Sequence, residues 1–108
     1  MELTQLAREA LEKHKGRDVV LLDVRKLSNV TDYYLMATGT SVPHIKALTD
    51  EVTVALKKRD VRCYGKSGTP DSQWVALDFI DLVVHVFSAE TRAYYALEEL
   101  WSDAERVG

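Results

Sequence analysis

Apolar positions recur along this chain with two periods. Leu3, Leu6, Ala7, Ala10 and Leu11 stand three or four apart, the spacing of one face of a helix over about Glu2 to His14. Gly16 follows the last of them and reads as a helix stop. Asp18–Val24 is then almost continuously apolar and rich in β-branched residues, the pattern of a strand covered on both faces. Tyr33–Ala37 is a second such strand, with Ser28–Asp32 as a polar turn between them. Thr38-Gly39-Thr40-Ser41 leads into a helix over about Pro43 to Arg59, with Ser41 as N-cap and Ile45, Leu48, Val52, Ala55 and Leu56 as its buried stripe. Lys57, Lys58 and Arg59 suit the negative end of that helix.

Val61–Tyr64 reads as a short third strand, and Gly65–Gln73, with its glycines and proline, as a loop. Trp74–Phe79 and Leu82–Ser88 are strands joined only by Ile80-Asp81, which predicts a hairpin, although Ile-Asp is a poor match to the Gly- and Asn-rich turns that hairpins favour. Ser88 caps a last helix to about Ser102, with Tyr94, Leu97 and Trp101 on one side. The order is αββαβββα. The long helix then acts as a right-handed crossover between parallel strands, giving an α/β (α+β) fold with a mixed five-stranded sheet packed with helices.

Alternation sorts the hairpin into two faces. Pairing Phe79 with Leu82 sets Leu77 against Val84 and Val75 against Val86, a wholly apolar face that belongs on the core. The other face then pairs Asp78 with Val83, Ala76 with His85 and Trp74 with Phe87. A face mixing large aromatics with a carboxylate and an imidazole is a solvated sheet face or a docking surface, and Trp anchors dominate docking energetics.

Charge changes this picture. The chain has 108 residues, the size of one domain spanning 1–108. Residues 1–64 hold 11 Lys/Arg and 9 Asp/Glu, whereas residues 65–108 hold 3 and 8, a net of −5. That argues against a basic nucleic-acid patch in the second half and fits either a basic partner or an acidic surface that serves solubility. The lone Cys63 excludes an internal disulfide and a cysteine-rich zinc site, and reads as a buried thiol. No apolar run approaches the roughly 18 residues of a membrane span, and no basic leader with an apolar run opens the chain, so a cytoplasmic protein is expected.

Candidate chemistry is sparse. The Thr38–Ser41 segment stands where backbone amides can hold an anion and resembles the Gly-Ser loop of nucleotidyltransferases. Phosphoryl transfer also needs paired carboxylates for magnesium, and no Asp-x-Asp follows on Val61–Tyr64. Asp23 and Asp32 fit turn caps. His85 has no second histidine at metal-ligand spacing, His14 and His44 lying on helices, and reads as a histidine hydrogen-bonded within the fold or as part of the docking face. No catalytic residue, metal or cofactor is assigned.

Several segments together resemble the Iojap-type ribosomal silencing factor family: Asp23-Val24, Leu27-Ser28, Val30-Thr31-Asp32-Tyr33, Ala37–Ser41, His44 with Ala47, Trp74-Val75, Asp78, Asp81–Phe87, Tyr94-Tyr95, Leu97-Glu98 and Leu100-Trp101. The family usually has Gly where Ile80 stands, an acidic residue near Ser67 and often Arg in place of Pro43. The resemblance implies a nucleotidyltransferase-like fold without its catalytic carboxylates. It also implies binding to the large ribosomal subunit through the ribosomal protein numbered fourteen in its series, a block on subunit joining, lowered translation when nutrients are short, and a homodimer when free. The expected contact residues are Trp74, Ala76, Leu77, Asp78, Asp81, His85, Phe87, Tyr95 and Glu98, with Glu99 beside it, and Trp74 ranks above Leu77 because the two alternate to opposite faces. The Thr38-Gly39-Thr40-Ser41 loop is left without a role. A nucleotide-binding or nucleotidyltransferase-like enzyme, and a dimeric adaptor for another basic protein, are the alternatives.

Overall fold

The structure is a computed structural model that describes residues 2–27 and 31–107. Ser28, Asn29 and Val30 of the expected polar turn lie outside the described residues. Helix α1 (Glu2–Lys13) ends in the Leu11 carbonyl, which accepts the Gly16 N–H at 2.7 Å. Lys15 takes the left-handed conformation, and Gly16 is needed because a Cβ there would stand 2.9 Å from the Leu11 oxygen. Strands β1 (Arg17–Asp23) and β2 (Tyr33–Thr38) pair antiparallel. Helix α2 (Val42–Lys57) starts at Ser41, whose side chain accepts the His44 N–H, with Pro43 in its first turn.

The third strand is displaced from its expected place. Strand β3 is Gly65–Ser67, inside the stretch expected as a loop, and Val61–Tyr64 forms no ladder. The register gives the reason. Gly65 pairs with Asp78, the last residue of strand β4 (Trp74–Asp78), so the residues before Tyr64 run past the end of their neighbour. Val61 and Cys63 still pack on the core, which produces the alternation of a strand without its hydrogen bonds.

Strand β5 (Leu82–Phe87) pairs antiparallel with β4 in the expected register, Trp74 with Phe87 and Ala76 with His85, and parallel with β2 from Tyr33↔Leu82 to Thr38↔Phe87. The sheet has six strands, not five, in the order β3-β4-β5-β2-β1-β6. The sixth, β6 (Glu105–Arg106), adds to β1 from beyond the end of the expected last helix. β2 and β3 run in the same direction, as a crossover requires, but β5 and β4 lie between them.

The expected last helix is broken. Helix α3 (Ala89–Tyr95) stops at Ala96, left-handed at φ 46°, and a short turn of helix, α4 (Leu97–Leu100), resumes in a new direction. Nothing local stops it, since alanine is the best helix former. The break is tertiary: it lays Leu97 and Trp101 on the sheet, while Tyr94, expected beside them, is 81% exposed.

Two apolar clusters result. On one face α1 and α2 cover the sheet, with Leu11, Leu48, Val52 and Leu56 against Leu35, Val75, Leu77 and Val84. On the other, Leu97, Trp101 and Ala104 pack with Leu22, Val24, Met36 and Phe87, and Trp101 lies 5.2 Å from Tyr34. Burial of each aliphatic side chain contributes about 1.5–3 kcal/mol, so the first face supplies most of the fold's stability.

Candidate functional site

The half-covered face carries the aromatic residues. Alternation along β4 and β5 puts Trp74, Ala76, Asp78, Val83, His85 and Phe87 on this side, and Tyr34 and Met36 of β2 continue the same rows. The C-terminal segment covers the β1 and β2 end. Ala76, Asp78 and Val83 remain half-buried beyond it, and Trp74 is half-buried at its edge, against Tyr95.

Trp74 sits at the centre of this cluster. Its ring centroid is 4.7 Å from Tyr95, 6.0 Å from His85 and 6.0 Å from Phe87. Its indole Nε1–H donates to His85 Nδ1 at 3.1 Å. His85 is 8% exposed, and burial, which penalises a charged ring, pushes its pKa down to about 4. A neutral imidazole is what the bond requires, because a protonated Nδ1 would be a donor facing a donor. Tyr34 lies 5.5 Å from the imidazole, its own pKa raised by burial and then by the charge of Asp78. Beside Trp74 opens a cleft of about 410 Å³ between Tyr95, Ala76, Thr91 and the Ser67–Ser72 turn.

The expected contact residues therefore fall into four places. Trp74, Ala76, Asp78, His85, Phe87 and Tyr95 come together, with His85 and Phe87 buried beneath and Tyr95 54% exposed. Leu77 is 1% exposed and points into the core under α2, so the alternation that demoted it holds and it presents nothing to a partner. Asp81 stands at the hairpin tip, where its carbonyl accepts the Asp32 and Tyr33 N–H groups. Asp78 accepts the Ile80 N–H at 2.7 Å through Oδ1, and Ile80 takes φ 73°, a conformation that glycine adopts without strain.

Glu98 is engaged inside the fold. Its carboxylate accepts from Arg92 Nε at 2.7 Å, with Arg106 at 3.7 Å, and these cations hold it below the usual carboxylate range. Arg92 also donates to the Asp18 carbonyl at 2.8 Å and to Thr38 Oγ1 at 2.9 Å, and lies over the Phe87 ring. It joins α3 and α4 to the ends of β1 and β2, and was not singled out from the sequence. One signal was present: it is the sole Lys or Arg from Ser67 to Glu105.

The Thr38–Ser41 loop borders a different hollow, of about 480 Å³, shared with Arg17, Gln73 and Glu90. Gly39 is required by close approach, since a Cβ would stand 2.6 Å from Ile45 Cγ1. His44 braces the loop: Nδ1 accepts the Thr40 N–H and Nε2 donates to the His14 carbonyl, both at 2.9 Å. Among the described residues no group of three or more His, Cys, Asp or Glu could hold a metal ion, and no helix is long and apolar enough to cross a membrane.

Comparison with known proteins places this geometry. The family model described as "Ribosomal silencing factor during starvation" matches residues 1–108. The ribosomal silencing factor RsfS of Chromobacterium violaceum is 42% identical over 93% of this chain and 82% of its own length. That of Halalkalibacterium halodurans is 36% identical over 98% and 91%. A crystal structure of a Chromobacterium violaceum protein, also 42% identical, superposes with a TM-score of 0.90 over 94% of this chain and 84% of that one. The chain belongs to the ribosomal silencing factor family.

Proposed function

We propose that this chain docks its half-covered aromatic face on the ribosomal protein numbered fourteen of the large subunit, blocks joining of the small subunit by occupying part of the intersubunit surface, and so lowers translation when nutrients are short. One observation carries the reading: a half-buried Trp74, locked by its neighbours, stands on the uncovered part of a sheet whose half of the chain has a net charge of −5. Rigid aromatic anchors supply most of the energy of such contacts, and acidic rims select basic partners. The mechanism is steric and makes or breaks no bond. The setting is the cytoplasm, and the free protein pairs as a homodimer through the same face, so that dimer and ribosome compete for it.

Light scattering of mixing subunits, with the protein pre-incubated on large subunits, tests this. The chain is expected to reduce joined ribosomes. Trp74→Ala is expected to remove the effect by weakening binding by at least about 2 kcal/mol. Unchanged affinity in a folded Trp74→Ala would overturn the reading.

A further inference from the structure

We propose that the cleft between Trp74 and Tyr95 seats a single basic side chain, arginine or lysine, from the partner. This rests on the docking reading above and names what the face recognises.

The cleft is built of two aromatic rings, a small floor and hydroxyl-bearing walls: Trp74, Tyr95, Ala76, Ser67, Ser72 and Thr91. Two of its polar hydrogens are turned inward. The indole N–H is engaged by His85. The Ser72 hydroxyl donates to the Thr69 carbonyl at 2.7 Å, and the Thr91 hydroxyl accepts from Ser88. What these groups offer an occupant is ring faces and oxygen lone pairs. A guanidinium or ammonium carries only donors, is attracted by the negative faces of indole and phenol, and lays an apolar stem along such rings.

The charge around the cleft points the same way. From Ser67 to Glu105 the chain has eight Asp/Glu and one Lys/Arg. That one cation, Arg92, is held by Glu98, Thr38 and the Asp18 carbonyl. Lys66 pairs with Leu77 and so belongs to the opposite face of the sheet. Asp78 stands two residues beyond Ala76 on the cleft's own face, and Asp71 precedes Ser72 in its wall. A basic side chain enters against no like charge from these elements.

Stepwise fluorination of Trp74 tests the assignment, because fluorine drains the ring face of negative potential while adding apolar surface. In a Trp101→Phe background Trp74 is the only tryptophan. The affinity of purified large subunits is measured with tryptophan and with its 5-fluoro, 5,7-difluoro and 5,6,7-trifluoro analogues at this position. A cationic occupant predicts a stepwise fall of about tenfold across the series. Tyr95→Leu is expected to weaken binding several-fold. A flat or rising affinity across the series, with Trp74→Ala still weakened, would overturn the cationic occupant and leave the docking face standing. Unaffected binding by Trp74→Ala would overturn both.

Discussion

The two faces of the sheet are written in alternate residues of the same strands, yet they do different work. Along β4 and β5, Val75, Leu77, Val84 and Val86 face α1 and α2 and are closed from water. Between them Trp74, Ala76, His85 and Phe87 face a thin covering that stops partway. The closed face spends its apolar area on stability. The half-open face keeps area in reserve, and the polar groups within it are paired: indole with imidazole, and Asp78 with the turn. A surface that is stiff, apolar and satisfied before a partner arrives loses little on docking.

The largest effect expected from disturbing this division is on the closed face. Leu77→Ala is expected to cost about 3 kcal/mol in urea unfolding through the cavity it leaves, with ribosome affinity unchanged in the folded fraction. Acid attacks the other face. The His85 pKa is depressed to about 4 in the folded chain, so its contribution is fully present above the unfolded pKa near 6.5 and is lost as pH falls from there through about 4. The loss amounts to at most about 3 kcal/mol, and His85→Gln should remove this part of the pH dependence of unfolding. Arg92→Gln is expected to cost about 2 kcal/mol by leaving Glu98 without its close cation, and hydrogen exchange over residues 89–107 should rise most. Ile80→Gly is expected to add about 1 kcal/mol, since a β-branched residue at φ 73° is strained where glycine is not. An unchanged urea midpoint would show that the hairpin already absorbs that strain.

The hairpin faces were legible in the sequence because a period of two leaves one register that turns Val75, Leu77, Val84 and Val86 to the core together. The helix starts were legible because Ser41 and Ser88 cap through their own side chains. The departures have another origin. Val61–Tyr64 has the alternation of a strand, but where its neighbour ends is set by the fold. Ala96 breaks a helix against its propensity because Leu97, Trp101 and the Arg92–Glu98 pair are satisfied only with the chain redirected. Glu105-Arg106 is too short and polar to announce a strand, and owes its place to β1. The site was legible in its Trp74 row and not in its Arg92 support, whose partners lie as far back as Asp18.

The pairing of β2 with β5 has a consequence for how the molecule assembles. Tyr33 must find Leu82 across nearly half of the chain, and Leu22 must find Arg106 across most of it. Such long loops make closure entropically costly and folding slow compared with a helical bundle of this size. During synthesis β2 lacks one of its two neighbours until Phe87 has emerged, and the Trp74 face is assembled only from then on. The aromatic face is thus among the last parts of the sheet to close.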